Sequence, residues 1–123
     1  MRLIALGLTL VLSGCVFSDL IDDVRTSEMK TETILSTKTP TEFAACAVAV
    51  GDLSLSTVPG LYRPTSEGAE IIWMGGVANA SKMAAIFITE NDGGSAVVGK
   101  VPANMPWAKR QLRDVDATIR QCV

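Results

Sequence analysis

The clearest signal of a β-sheet lies at residues 83–101, which read MAAIFITENDGGSAVVGKV. Apolar and β-branched residues fill both halves of this stretch, and Asn91-Asp92-Gly93-Gly94 separates them. Glycine accepts the positive φ that a tight turn between antiparallel strands requires. We therefore predict a β-hairpin whose strands cover residues 83–90 and 95–101.

A second hairpin is predicted before the first. Residues 65–68 read TSEG and separate a short strand at 61–63 from an apolar strand at 69–74. Residues 75–81 then form a looser connection to the first hairpin. The sequence between residues 61 and 101 thus predicts a sheet of about four antiparallel strands.

One helix is predicted before these strands. Thr39 suits the N-cap, Pro40 suits the first helical position, and Glu42 completes a capping box with Thr39. The following apolar residues recur at three- and four-residue steps and predict one buried face: Phe43, Cys46, Ala47, Val50 and Leu53.

A second helix is predicted after the strands, beginning at Pro106. Its apolar residues follow the same spacing and are Ala108, Leu112, Val115, Ile119 and Cys122. Because each helix has one apolar face, we expect both to pack on the same face of the sheet. The predicted fold class is α+β, with the order α-β-β-β-β-α.

The composition excludes several function classes. A chain of 123 residues forms one small domain, and its 11 basic and 13 acidic residues give a net charge of −2. Nucleic-acid-binding domains usually carry a basic face, so we expect no nucleic-acid partner. The sequence has no histidine, which excludes Ser-His-Asp triads and histidine-containing zinc sites. We predict no metal, no cofactor and no enzymatic activity.

The first fifteen residues carry an export signal. Arg2 precedes an apolar run at residues 3–12, which is too short to span a bilayer but fits a secretory signal. The next residues, Leu12-Ser13-Gly14-Cys15, match all four positions of a lipobox, so the N-terminus resembles that of bacterial lipoproteins. An ordinary signal peptide with an incidental Cys15 is the alternative, but Leu12 fits poorly at the third position before its cleavage site.

The lipoprotein resemblance implies a location and a modification. It implies removal of residues 1–14 and attachment of acyl chains, including palmitate, at Cys15. It also places Val16 where an aspartate would favour the inner membrane, so we expect the outer membrane, with the domain facing the periplasm of the bacterial cell envelope. We divide the chain into a signal peptide (1–14), a lipid anchor with a flexible tether (15–38) and an α+β domain (39–123). Within the tether, residues 31–37 are rich in β-branched residues and could add an edge strand.

The two remaining cysteines predict a disulfide bond. Cys46 and Cys122 each lie on the apolar face of a predicted helix, and an exported protein meets an oxidising compartment. A bond between them would join the first helix to the last. The alternative is a pair of buried free thiols that act as small apolar residues.

Two function classes remain open after these exclusions. Apolar residues occupy both faces of the predicted central strands, and helices on one side cover only one face. We therefore predict a partner surface among these residues: Trp73, Met74, Met83, Ile86, Phe87 and Ile88. It would bind another envelope protein or a second copy of the chain. Alternatively, the tether or the connection at residues 75–81 covers these residues. The alternative is a small-ligand or cell-wall-glycan module, in which Trp73, Tyr62 or Trp107 stacks on a sugar ring.

Overall fold

A computed structural model describes residues 22–56, 58–74, 83–103 and 105–123. Five strands and two long helices follow one another in these ranges, and residues 22–25 are also helical. In chain order the elements are β1 (Ile34–Ser36), α1 (Pro40–Ser54), β2 (Leu61–Pro64), β3 (Gly68–Met74), β4 (Met83–Asn91), β5 (Gly94–Lys100) and α2 (Ala108–Cys122).

The strands form one sheet in the order β1-β5-β4-β3-β2, and each neighbouring pair is antiparallel. α1 and α2 pack on one face of this sheet, α1 chiefly on β3 and α2 chiefly on β5. The predicted α+β class is therefore confirmed. The sheet has five strands rather than four because β1, from the β-branched segment 31–37, pairs with β5 through Leu35 and Ala96.

Both predicted hairpins are present. In the β4–β5 hairpin, Asn91 pairs with Gly94 across a two-residue turn. Asp92 and Gly93 occupy this turn with φ values of 49° and 84°. Two successive positive φ values match the right-handed twist of the strands, which explains the Asp-Gly pair at this point. In the β2–β3 hairpin, the amide of Thr65 donates to the carbonyl of Gly68 at 3.0 Å.

α1 begins as its capping signal predicts. The hydroxyl oxygen of Thr39 accepts a hydrogen bond from the amide of Glu42 at 3.3 Å. Its buried face differs from the predicted one, since it consists of Phe43, Ala44, Ala47 and Gly51. Leu53, which we predicted to be buried, is 91 % exposed. It follows buried Ala44 by nine residues, or about 2.5 turns, and so lies on the opposite side of the helix.

The main core lies between the helix pair and the sheet, and the indole ring of Trp73 is at its centre. This ring is fully buried and lies against Gly51, where any larger residue would collide with it. The carboxylate of Asp52 accepts hydrogen bonds from Trp73 Nε1 and from the amide of Gly60, both at 2.8 Å. The indole N–H, which is the only polar group of the Trp73 side chain, thus has a hydrogen-bond acceptor within the core.

A disulfide bond joins the two helices, as predicted. It connects Cys46 of α1 to Cys122 at the end of α2, with Cα atoms 5.7 Å apart and a sequence separation of 76. Cys122 is fully buried, and Val115 and Ile119 of the same helix are buried in the main core. The helices also meet through the hydroxyl groups of Ser54 and Thr118, which are 3.3 Å apart.

Candidate functional site

Residues 22–31, which we call the strap, begin on the sheet face opposite the helices and end paired with the edge of β5. The hydroxyl of Ser27 donates to the carbonyl of Val101 at 2.6 Å. The amide of Thr31 donates to the carbonyl of Gly99 at 2.9 Å, and the amide of Val101 donates to the carbonyl of Met29 at 3.1 Å. The prediction of a flexible tether over 15–38 is therefore wrong for residues 22–38. Residues 22–38 belong to the packed domain. The composition of this segment does not reveal the hydrogen bonds that the strap makes to β5.

Three charged side chains hold the start of the strap to the sheet. Glu70 of β3 has a carboxylate that is only 7 % exposed, and Arg25 Nη2 lies 2.6 Å from its Oε1 atom. Arg63 Nε of β2 lies 3.0 Å from the same oxygen. The hydrogen bond to Glu70 raises the pKa of Arg25 above its ordinary value. Arg25 thus stays charged, and the buried carboxylate of Glu70 connects the strap to strands β2 and β3.

A small second core lies beneath the strap. Val24 is fully buried and packs with Ile72, Met83 and Ala85 on the face away from the helices. Lys100 lies along the border of this cluster. Its Nζ donates to the carbonyl of Arg25 at 2.6 Å and lies 5.4 Å from the centroid of the Phe87 ring. The strap therefore covers part of the sheet face that the helices leave open.

The predicted partner surface divides between the two faces of the sheet. Trp73, Ile86 and Ile88 belong to the main core and are at most 2 % exposed, so their inclusion in an exposed surface is wrong. Strand alternation turns these three toward the helix pair, which covers them. On the opposite face, Met83 is buried beneath the strap, while Met74 and Phe87 are half-buried.

The aromatic residues considered for sugar stacking do not form one platform. Trp73 is buried, whereas Tyr62 is 47 % exposed on β2 and Trp107 is half-buried just before α2. Tyr62 lines a shallow groove of about 320 Å³ together with Thr41, Ala44, Ala45 and Val48 of α1. The groove is mostly apolar, and Thr41 and Tyr62 contribute the hydroxyl groups among its lining side chains.

Further apolar side chains lie on the outer face of α1. We call the five residues concerned the edge surface: Ala45, Val48, Ala49 and Leu53 of α1, and Tyr62 of β2. Ala45, Ala49 and Leu53 are exposed, and Val48 is half-buried. Both charged residues of α1 are engaged elsewhere, Glu42 in the N-terminal cap and Asp52 at Trp73. The carboxylate of Glu42 is nevertheless exposed at the N-terminal end of this face.

The outer face of α2, unlike most of that of α1, is charged. Its outer face carries Lys109, Arg110, Arg113, Asp116 and Arg120, and Arg120 Nε lies 2.8 Å from the carboxylate of Asp116. This alternation of charged and apolar residues is the ordinary pattern of a helix between core and water. α1 differs from this pattern because most of its exposed side chains between Ala45 and Leu53 are apolar.

A second groove lies beside the strap. It measures about 330 Å³ and is lined by Arg25, Glu70, Phe87, Thr89 and the turn at residues 65–67. Sequence reasoning missed this grouping because Arg25 and Glu70 are 45 residues apart. The one available signal was the acidic residue at position 70 within an otherwise apolar strand.

Cys15, the predicted lipidation site, and its lipobox lie outside the described residues, as does the connection at residues 75–81. Over the described part of the chain, no helix combines the length and apolarity needed to cross a membrane. The same residues contain no group of three side chains suited to metal binding. Comparison of the chain with protein-family models, curated proteins and solved structures gives no match.

Proposed function

We propose that this protein is a lipoprotein of the bacterial cell envelope, anchored through acyl chains on Cys15, with a non-catalytic domain that serves protein–protein contacts. The lipobox Leu12-Ser13-Gly14-Cys15 supports the anchor. The structural observation that carries the proposal is the Cys46–Cys122 disulfide, because such bonds persist in exported proteins and are rare in the cytosol.

The anchor is tested by a single substitution. Cys15→Ser removes the thiol that would accept the diacylglyceryl group, so the chain should remain as the unprocessed precursor and incorporate no radiolabelled palmitate. Cys46→Ser is the matched control, since it removes a cysteine that forms the disulfide and should leave palmitate labelling intact. Unchanged labelling of the Cys15→Ser chain would refute the lipoprotein assignment.

The outer-membrane location is tested at the next residue. Val16 is proposed to permit transfer to the outer membrane, and Val16→Asp should move the protein to the inner membrane. Density-gradient separation of the two membranes measures this directly, and Val16→Ser is the control. A chain that stays with the inner membrane in all three forms would contradict the proposed location.

The proposed contact role is supported by apolar side chains that the fold leaves in solvent. Leu35 on edge strand β1 is 62 % exposed and pairs across the sheet with half-buried Ala96. A photo-crosslinking residue at position 35 of the anchored chain should give one discrete protein adduct in intact cells. The same probe at exposed Glu32 is the control. The absence of any protein adduct at position 35 would contradict a contact at β1.

The absence of histidine from the sequence supports a non-catalytic role. We expect no turnover of cell-wall or phosphoester substrates by the purified anchored protein. A robust activity that is lost when one polar side chain is replaced would overturn this part of the proposal.

A further inference from the structure

We infer that the first two turns of α2 bind the anionic phospholipid headgroups of the membrane that holds the anchor. The inference rests on the proposed lipidation of Cys15. We call the side chains concerned the basic surface: Trp107, Lys109, Arg110 and Arg113. Three observations support the inference: the single sign of the charge on this surface, the stability that this charge costs α2, and the contacts that fix the strap beside the start of α2.

The first observation is that the charge of the basic surface is not balanced. Lys109, Arg110 and Arg113 are exposed, and residues 101–113 include no aspartate or glutamate. Within the described part of the chain, no ion pair joins any of these three side chains to a carboxylate. Arg120, two turns further along α2, differs because its Nε atom lies 2.8 Å from the carboxylate of Asp116. The start of α2 thus presents the kind of positive charge that attracts anionic headgroups.

The second observation is that these cations work against the stability of α2. The N-terminus of a helix carries a partial positive charge, so cations are unfavourable there. α1 has Glu42 in its first turn, whereas α2 has Lys109 and Arg110 there and no acidic residue. Arg113 adds like-charge neighbours at three- and four-residue spacing, which are also unfavourable. Folding does not explain this arrangement, and residues that break a local rule of stability are typical of functional sites.

The third observation is that the strap is fixed at one end of the sheet. Val24 packs with Met83, which is the first residue of β4. Ser27 donates to the carbonyl of Val101, which directly follows β5. Because β4 and β5 are antiparallel, the start of β4 and the end of β5 lie at the same end of the sheet. The strap therefore passes across that end.

α2 begins at the same end of the sheet. Lys38 joins the opposite ends of both elements, since its carbonyl accepts from Ser95 near the start of β5 and its Nζ donates to the carbonyl of Cys122 at the end of α2. Nearer its middle, α2 places Val115 against Gly99 of β5. α2 thus runs antiparallel to β5, and its first turn lies beside the end of the sheet that the strap crosses.

The anchor keeps this end of the domain near the bilayer. Only the six residues 16–21 separate Cys15 from Asp22, the first described residue. Even fully extended, the seven steps between these Cα atoms span about 25 Å. This length is less than the diameter of a domain of this size, whose radius of gyration is roughly 13 Å. Electrostatic attraction reaches about 10 Å at 0.1 M salt, so a short linker brings the basic surface within its range.

The side chains of the basic surface suit a lipid headgroup layer. Lysine and arginine side chains near a membrane surface are attracted by the phosphates of anionic lipids. Trp107 is half-buried at the start of α2, and tryptophan is enriched at the boundary between headgroups and acyl chains. The acyl chains on Cys15 would supply the affinity, and the linker would give the basic surface a high effective concentration at the membrane. A weak contact then suffices to orient the domain.

Quenching of tryptophan fluorescence by brominated lipids tests the inference on the lipidated chain. The chain has two tryptophans, and Trp73 is fully buried in the core, so quenching by lipid reports on Trp107. Quenching on phosphatidylethanolamine vesicles with about one third phosphatidylglycerol should be at least about twofold stronger than on phosphatidylcholine vesicles. At about 1 M salt the screening length falls to about 3 Å, and the difference should disappear.

Three variants serve as matched tests in the same assay. The triple variant Lys109→Gln/Arg110→Gln/Arg113→Gln should lose the preference for anionic vesicles. Its melting temperature should not fall, because the substitutions remove unfavourable charges from the start of α2. Arg120→Gln removes a cation from the far end of the same helix and should keep the preference. Trp107→Phe should show almost no quenching, since only Trp73 remains.

Three results would overturn the inference. Equal quenching on anionic and neutral vesicles would show that charge does not orient the domain. The absence of quenching on both would place Trp107 away from the bilayer, in water or against a protein partner. An unchanged preference in the triple variant would assign the contact to another surface. The mass of the Cys15 peptide from the same vesicles reports acylation independently, so failure of the proposed anchor is distinguished from failure of membrane contact.

Discussion

Reduction of the Cys46–Cys122 disulfide should lower the stability of the domain by an amount that the loop length sets. The bond closes a loop with a sequence separation of 76 residues. In the chain-entropy description, such a loop restricts the unfolded chain by about 15 cal/mol/K, which corresponds to about 4.5 kcal/mol at 25 °C. A domain of roughly 100 residues unfolds with an entropy near 210 cal/mol/K. The melting temperature should consequently fall by about 20 °C.

The remaining contacts of the helices predict that the reduced protein still folds at 25 °C. Phe43 and Ala47 of α1 and Val115 and Ile119 of α2 stay buried against the sheet without the bond. Domains of this size have an unfolding free energy of about 5–15 kcal/mol, so a loss of 4.5 kcal/mol leaves a marginal but folded state.

Thermal unfolding of the mature protein, followed by circular dichroism with and without reductant, measures the effect. Alkylation and intact-mass analysis establish how many thiols are free in each sample. The Cys46→Ala/Cys122→Ala variant is the control, since its melting temperature should not respond to reductant. A shift below 5 °C in protein whose thiols are shown to be oxidised would refute the entropic reasoning, and two alkylated thiols without reductant would refute the bond.

Substitutions at three positions test the packing around the core and the hairpin. Gly51→Ala should destabilise the domain by about 1–3 kcal/mol in denaturant unfolding, because its methyl group would overlap the ring of Trp73; an unchanged midpoint would contradict this contact. Asp52→Ala should cost about 1–3 kcal/mol, since it leaves the buried indole N–H and the amide of Gly60 without an acceptor. Asp52→Asn keeps the acceptor and should cost less than half as much. Gly93→Ala should cost about 1 kcal/mol because its φ is 84°, whereas Gly93→Asn should be tolerated better.

Local chemistry explains which parts of the fold the sequence predicted correctly. The turn at Asp92-Gly93 and the cap at Thr39 each depend on residues within four positions of one another, so a short stretch of sequence contains the whole signal. The disulfide was also predictable, because only two cysteines remain after Cys15 and both lie on apolar helix faces.

The burial of Trp73 could not be predicted in the same way. Strand β3 has apolar residues on both faces, with Ile71 and Trp73 on one and Ile72 and Met74 on the other. Alternation therefore indicates two apolar faces but not which of them the helices cover. The choice depends on the long-range packing of Gly51 against the indole ring, and one glycine within a helix gives no sequence signal for such a contact.

The contacts of the strap could not be assigned from the sequence, because they join residues far apart in the chain. Ser27 and Val101 are 74 residues apart in sequence, and one hydrogen bond, from the hydroxyl of Ser27 to the carbonyl of Val101, joins them. The segment contains polar residues and has no sustained periodicity, which is also the pattern of a solvated linker. The strap packs against the domain through its contacts with β5 and Glu70, which are distant from it in sequence.

The strap leads to the last prediction, which concerns Glu70. Glu70→Gln removes the anion between Arg25 and Arg63, and because both guanidinium groups are partly in water the loss should be about 1 kcal/mol. This loss should act locally, since Thr31 at the other end of the strap keeps its hydrogen bonds to Gly99. Hydrogen exchange at the amide of Thr26 should therefore accelerate about fivefold to tenfold while exchange at Thr31 stays unchanged. Asp116→Asn, which removes an ion pair on the surface of α2, is the control and should change neither amide. Equal acceleration at both amides would show that Glu70 supports the whole sheet and does not act on the strap alone.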